Sequence, residues 1–190
     1  MPSAVTSALE REHRSIEKVI DTILIIADDL EQGRRIDPSL LKEVTFFLRI
    51  FADQCQTAKE DDLLFPALEE KCMSPDACPI DNLRSDHTKA EVLTRELLEE
   101  ADLYTSTGHA SAKEPLIRTL RYLAKLYQEH IWTEDFVVLP LAEKVLSAEE
   151  LGRLAMAFER IEAKIRPDEV ADRIGERAKR CACHLGEIFN

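Results

Sequence analysis

Glycine is scarce in this chain, with 5 in 190 residues. Leu, Ala, Glu and Lys are plentiful and strand signals nearly absent, so helix propensity dominates and an all-α fold is expected. Apolar runs are short as well. None approaches the roughly 20 residues that span a bilayer. The start, Met1-Pro2-Ser3-Ala4-Val5, lacks the basic and apolar regions of a signal peptide, so the expected setting is cytoplasmic, with no membrane partner. Positive charge is in deficit, 25 Lys and Arg against 37 Asp and Glu, for a formal charge of -12. Sequence-independent binding to nucleic acid or to an anionic membrane is excluded by that balance. Cysteine is sparse too. The 5 present form no disulfide framework and are expected to be reduced. Cys181 and Cys183 precede His184, but on a helix two residues two apart point about 200° from one another and do not converge on a metal. His109 reads as a surface residue, and Cys72 and Cys78 as thiols flanking a loop.

What is present is a set of apolar stripes, each interrupted by ionisable residues. Leu116, Leu120, Leu123, Tyr127, His130, Glu134, Val137 and Leu141 alternate spacings of four and three, the signature of a buried helix face. His130 and Glu134 stand inside it one turn apart. Leu9, His13, Ile16, Ile20, Ile23, Ala27 and Leu30 repeat the pattern around His13, and Leu83, His87, Ala90, Thr94, Leu97 and Ala101 repeat it around His87. On a fourth stripe Leu41, Leu48, Ala52, Gln56, Glu60 and Leu63 carry Gln56 and Glu60 inward. An isolated inward His is commonly a hydrogen-bonded core residue. Three His and at least two Glu on four inner faces are hard to satisfy by mutual hydrogen bonds, and desolvating unpaired charges costs several kcal/mol each. A bound metal would compensate them.

Punctuation divides the chain into four long helices and a helical tail. The first helix should run from about Ser3 to Glu31 and stop at Gly33. Asp37-Pro38 suits the cap and first turn of the second, which should carry through Glu60 until Pro66 interrupts it. A loop from Lys71 to Pro79 precedes the third, which ends before Thr105-Ser106-Thr107-Gly108. Ser111-Ala112-Lys113-Glu114 and Ser147-Ala148-Glu149-Glu150 are capping boxes, the second opening a fifth helix through about Lys164. Pro167 opens a last helix. Short connections favour an up-down-up-down antiparallel four-helix bundle over residues 1–146, with a C-terminal helical extension over 147–190 packed on or beside it.

Several separately placed motifs resemble one family: His13 after Glu12, the run from Phe51 to Pro66, His87 after Asp86, and His130-Ile131-Trp132-Thr133-Glu134-Asp135. Across about residues 5–146 the chain resembles the hemerythrin-like, cation-binding HHE domain. The resemblance implies a bundle holding two non-heme irons bridged by carboxylates, with room for an oxo or hydroxo bridge and an open position for dioxygen, nitric oxide or peroxide. His13, Glu60, His87, His130 and Glu134 fall on ligand positions, with Glu60 and Glu134 as the bridging carboxylates. Gln56 stands where the family usually has His, so one imidazole is replaced by a weaker amide oxygen. Glu91, one turn after His87, stands where the oxygen carriers place another His and is expected as an additional ligand. Carriage or sensing of a small ligand or of iron is the leading expectation; a di-iron oxidase or peroxidase and a metal-free interaction module are the alternatives. Each ligating His needs its second nitrogen held, and Glu12, Asp61, Asp86, Glu129 and Asp135 are candidates.

Overall fold

A computed structural model describes residues 2–71, 79–107, 110–161 and 166–184. The side chains of residues 107, 110, 111 and 180–184 lie outside that description, as do most of the Lys71–Pro79 loop with Cys72 and Cys78, Gly108 and His109. The expected cap at Ser111 and the cluster of Cys181, Cys183 and His184 therefore also lie outside the described residues.

Helix α1, Ala4–Glu31, begins where the Ser3 hydroxyl accepts the Thr6 amide. It ends at Gly33, whose φ of 75° no β-carbon would tolerate well. Nothing lies within 4 Å of the space a β-carbon would take at Gly33, so the backbone alone sets the cost. Gly33→Ala is expected to lower stability by about 1–2 kcal/mol. Gly152 is equally open but helical, so Gly152→Ala should raise stability by up to about 1 kcal/mol. Thermal denaturation of the two variants checks the opposite signs.

Helix α2 starts at Pro38 behind the Asp37 cap and winds without a break to Glu69. Pro66 does not interrupt it, contrary to the sequence expectation. The rod is α-helical over Pro38–Phe47, π-helical over Leu48–Gln56, α-helical over Thr57–Lys59, π-helical over Glu60–Leu64 and α-helical over Phe65–Glu69. Helix α3 is Ile80–Thr107. Helix α4 combines Ala110–Thr133, a π segment at Glu134–Val138 and Leu139–Val145. The two π segments that start at Glu60 and Glu134 precede Pro66 and Pro140 by the same spacing. A proline ring removes one amide and crowds the preceding turn; the wider winding before it relieves both, so the rod continues.

The π segments that start at Glu60 and Glu134 each add a residue to the turn, and the inward register shifts beyond them. The four-three spacing places Leu63, Val137 and Leu141 inside. Instead Leu64, Val138 and Ala142 are buried, while Val137 is 38% exposed.

Helices α1 to α4 close a ring, α1 packing on α2 and α4, and α3 on α2 and α4. Among the described residues there is no strand, and the fold is an all-α bundle. No described helix is long and apolar enough to cross a membrane. Helix α5, Ala148–Phe158, opens with the expected capping box, in which Ser147 and Glu150 satisfy each other's backbone amides. A single turn at Glu159–Ile161 continues it, and the expected extension to Lys164 lies outside the described residues. Helix α5 lies against α1 and the second π segment of α2. Helix α6, Pro167–His184, lies on α1 and α2 and buries Ala171, Ile174 and Ala178 in the main core.

The core falls into two apolar clusters. One contains Ile16, Leu48, Phe51, Ala90, Leu123 and Ile131, and the other Leu9, Leu64, Leu83, Val138 and Phe158. On every rod of the bundle an ionisable or amide residue stands between the two: His13 on α1, Gln56 and Glu60 on α2, His87 on α3, and His130 and Glu134 on α4. A polar layer thus crosses a dry bundle.

Candidate metal centre

Each polar side chain in this layer is held by its rod at the level where the two apolar clusters meet. His13, Glu60 and Glu134 are at most 1% exposed, and Gln56 and His130 are also buried. The geometry is organised by the two carboxylates. Glu60 presents Oε1 at 3.7 Å to His13 Nε2 and Oε2 at 3.2 Å to His87 Nε2. Glu134 presents Oε2 at 3.1 Å to His13 Nε2 and Oε1 at 3.4 Å to His130 Nε2. The Nε2 atoms of His87 and His130 face each other at 3.1 Å. Each carboxylate therefore offers one oxygen to the His13 side and the other to the His87–His130 side, which defines two adjacent positions.

Hydrogen bonding leaves the layer unsatisfied. Glu60 Oε2, both oxygens of Glu134 and His130 Nδ1 are buried without a hydrogen-bond partner among the described residues. Orphaned oxygens at the centre of a dry core are costly, and a divalent cation at each position would satisfy them. The donor set of imidazole nitrogen and carboxylate oxygen suits iron and neighbouring transition metals. Ligand atoms of Glu60, His87, His130 and Glu134 all lie within 4.8 Å of one another, so the residues present fit a metal.

The outer partners follow a repeated rule. Glu60 is followed by Asp61, whose Oδ2 lies 3.1 Å from His87 Nδ1. Glu134 is followed by Asp135, whose Oδ1 lies 2.6 Å from His13 Nδ1. In each case the Glu faces the centre while the next residue, rotated around the helix, orients a His on another rod. Arg14 in turn holds Asp135, and Phe65 stacks on the His87 ring at 5.9 Å. With the carboxylate on Nδ1, the Nε2 lone pair is aimed inward. Asp135→Ala is expected to weaken metal binding about 10–100-fold by freeing the His13 ring. Calorimetric titration of the metal-free protein checks it. The other expected outer partners are engaged elsewhere, Glu12 with Lys59, Asp86 with Lys89 and Glu129 with Lys125.

Electrostatically the layer favours positive charge. Burial pulls the His13 pKa down, but Asp135, Glu134 and Glu60 outweigh it and hold the imidazole well above its ordinary value. His87 is pushed up to about 10, burial being outweighed by Asp61 and Glu60. Burial would raise Glu134, yet His130 and His13 hold it well below the usual carboxylate range.

Gln56 reaches the layer, but as a donor. Its Nε2 donates to Glu60 Oε1 and lies 3.3 Å from His13 Nε2, so the amide oxygen is turned from the centre. Glu91 is exposed and its oxygens are not among the clustered ligand atoms of the described residues. The inward line of α3 continues through Ala90 and Thr94, which leaves Glu91 to one side, on the wall of a neighbouring cavity.

Two features escaped sequence reasoning. Lys59, 4% exposed, is buried beside the layer with its ammonium on Glu12 and over the Phe158 ring; no apolar period marks it. The Tyr127 hydroxyl turns to Asp53, donating at 3.1 Å to Oδ1. Asp61 and Asp135, both expected as outer partners, stand in a repeat that the structure makes meaningful, Glu-Asp followed by Pro at Glu60-Asp61…Pro66 and Glu134-Asp135…Pro140.

Comparison with protein families matches residues 4–142 to the hemerythrin HHE cation binding domain. Uncharacterized proteins of Mycobacterium bovis and Mycobacterium tuberculosis are 26% identical over 179 residues, covering 93% of this chain and 65% of each relative. The chain thus spans about two thirds of the length of those relatives. No solved structure matches it.

Proposed function

The chain belongs to the hemerythrin HHE cation-binding family, and from that premise we propose that its polar layer binds two non-heme iron ions and through them binds or senses a small ligand, dioxygen, nitric oxide or peroxide, or iron itself, in the cytoplasm. One observation carries the two-ion reading: Glu60 and Glu134 each present one oxygen to His13 and the other toward His87 and His130. A carboxylate so placed could serve two cations at once. One position has His87 and His130, the other His13 alone, with Gln56 turned to Glu60. Iron at such a centre supplies open coordination and a reversible change of oxidation state.

The protein's own residues do the rest. Asp61 and Asp135 hold the Nδ1 side of each ring, so that Nε2 would stay aimed inward when metal displaces its proton. Ile16, Phe51 and Leu123, all fully buried, exclude bulk water while a diatomic molecule can diffuse between side chains. The imidazole-poor position at His13 supports a second reading, a di-iron oxidase or peroxidase, because carboxylate-rich coordination suits di-iron oxidases. Metal analysis followed by anaerobic reduction and exposure to each gas separates the readings. About two irons per chain and a reversible optical change are expected; consumption of oxygen or peroxide with turnover supports the enzyme, and folded protein that takes up no iron overturns both.

A further inference from the structure

Beside the centre, α2 and α3 enclose a cleft of about 480 Å³. It is far larger than a diatomic ligand needs, since one water occupies about 30 Å³. His87 and Asp61 line its inner end. Because the two rods run antiparallel, Asp53 on α2 comes next, with Glu91 and Thr94 across from it on α3. Arg49 and Arg95 follow, and Thr45 and Leu98 close the far end.

The middle of the cleft holds unpartnered oxygens. Asp53 Oδ1 accepts the Tyr127 hydroxyl, but Oδ2 is buried with no partner among the described residues. Thr94, 2% exposed, lines the cleft with its hydroxyl also unpartnered. Burial and the charge of Glu91 raise the Asp53 carboxyl to about 6, against the Tyr127 hydrogen bond and His87. Arg49 and Arg95 line the same cleft, one turn along their rods from Asp53 and Glu91, and neither is ion-paired with those carboxylates among the described residues. Two carboxylates and an unsatisfied hydroxyl around open space form an all-oxygen set, suited to a hydrated divalent ion held through some of its waters. The inner centre adds imidazole and binds the same ion more tightly.

We propose that Asp53, Glu91 and Thr94 form a transient divalent-cation site in this cleft, from which ferrous ion passes along His87 into the inner centre. The inference rests on the two-ion reading above for its destination, and on the cleft alone for the outer site. The test uses Co²⁺, whose visible bands report capture by the inner His and Glu ligands. Mixed with metal-free protein in a stopped-flow instrument, Asp53→Asn/Glu91→Gln is expected to reach the same final number of ions as the parent but about tenfold more slowly, the lower end of electrostatic steering effects. Glu96→Gln/Glu99→Gln removes the same charge from exposed positions of α3 that do not line the cleft and should load at nearly the parental rate. An unchanged rate in the cleft variant, or equal slowing in the control, overturns the proposal. Crystals of the parent soaked in Mn²⁺ provide a measurement that needs no variant. An anomalous peak between Asp53 and Glu91 is expected, and none there overturns the site. Parent protein that takes no Co²⁺ into the inner centre sinks the two-ion reading instead, and the Mn²⁺ peak still decides the outer site.

Discussion

Glu134→Ala is expected to leave the protein folded and its centre largely empty, with the metal content after dialysis falling from about two ions per chain to fewer than one. Glu134 faces both sides of the layer, through Oε2 toward His13 and Oε1 toward His130, so on the proposed two-ion reading one substitution would remove a donor from each ion. Loss of an outer partner such as Asp135 costs roughly 10–100-fold in affinity, and loss of a shared ligand must cost more. Helicity should survive. Apolar clusters on both sides of the layer hold the bundle together, and the imidazoles that Glu134 leaves can lose their protons. Two bound ions in the variant, measured by elemental analysis with circular dichroism as the folding control, would overturn the bridging assignment. Glu60→Ala should behave alike because its oxygens are divided in the same way.

The near equivalence of Glu60 and Glu134 also marks how far the sequence is legible. The stripes of α1 and α3 have an unbroken α period, and every apolar residue read as inward on them is buried, from Leu9 to Leu30 and from Leu83 to Ala101. On α2 and α4 the same rule holds up to the carboxylate and fails just beyond it, because a π turn consumes an extra residue that the four-three count does not contain. The same wide turn carries the helix past Pro66, where a proline by itself predicts a stop. Glu91 was placed inward by analogy with a spacing of four, whereas the unperturbed α3 carries Ala90 and Thr94 along the buried line. Lys59 carries no periodic signal at all, since a long ammonium can reach Glu12 from the side of its helix. Periodicity therefore locates a polar layer well but does not reveal where a helix changes its winding.

Acid and alkali should act oppositely on the metal-free fold and on its affinity for ions. His87 has its folded pKa raised from 6.5 to about 10, and His13 is raised well above 6.5. A raised imidazole pKa stabilises the fold fully below the unfolded value and loses that contribution as pH rises through the folded one. The metal-free protein should thus lose stability between pH 6.5 and about 10, by a few kcal/mol at most. Cations seek the same nitrogens as those protons. Affinity for Co²⁺ should therefore climb across the same window, and binding at neutral pH should release at least about one proton. Titration calorimetry in buffers of different ionisation enthalpy counts the protons, and denaturant unfolding at about pH 6.5 and 9 tests the fold. Metal-free protein that is more stable at the higher pH, or an affinity indifferent to pH, would show that the inward imidazoles are not held by Asp61, Asp135, Glu60 and Glu134 as the geometry requires.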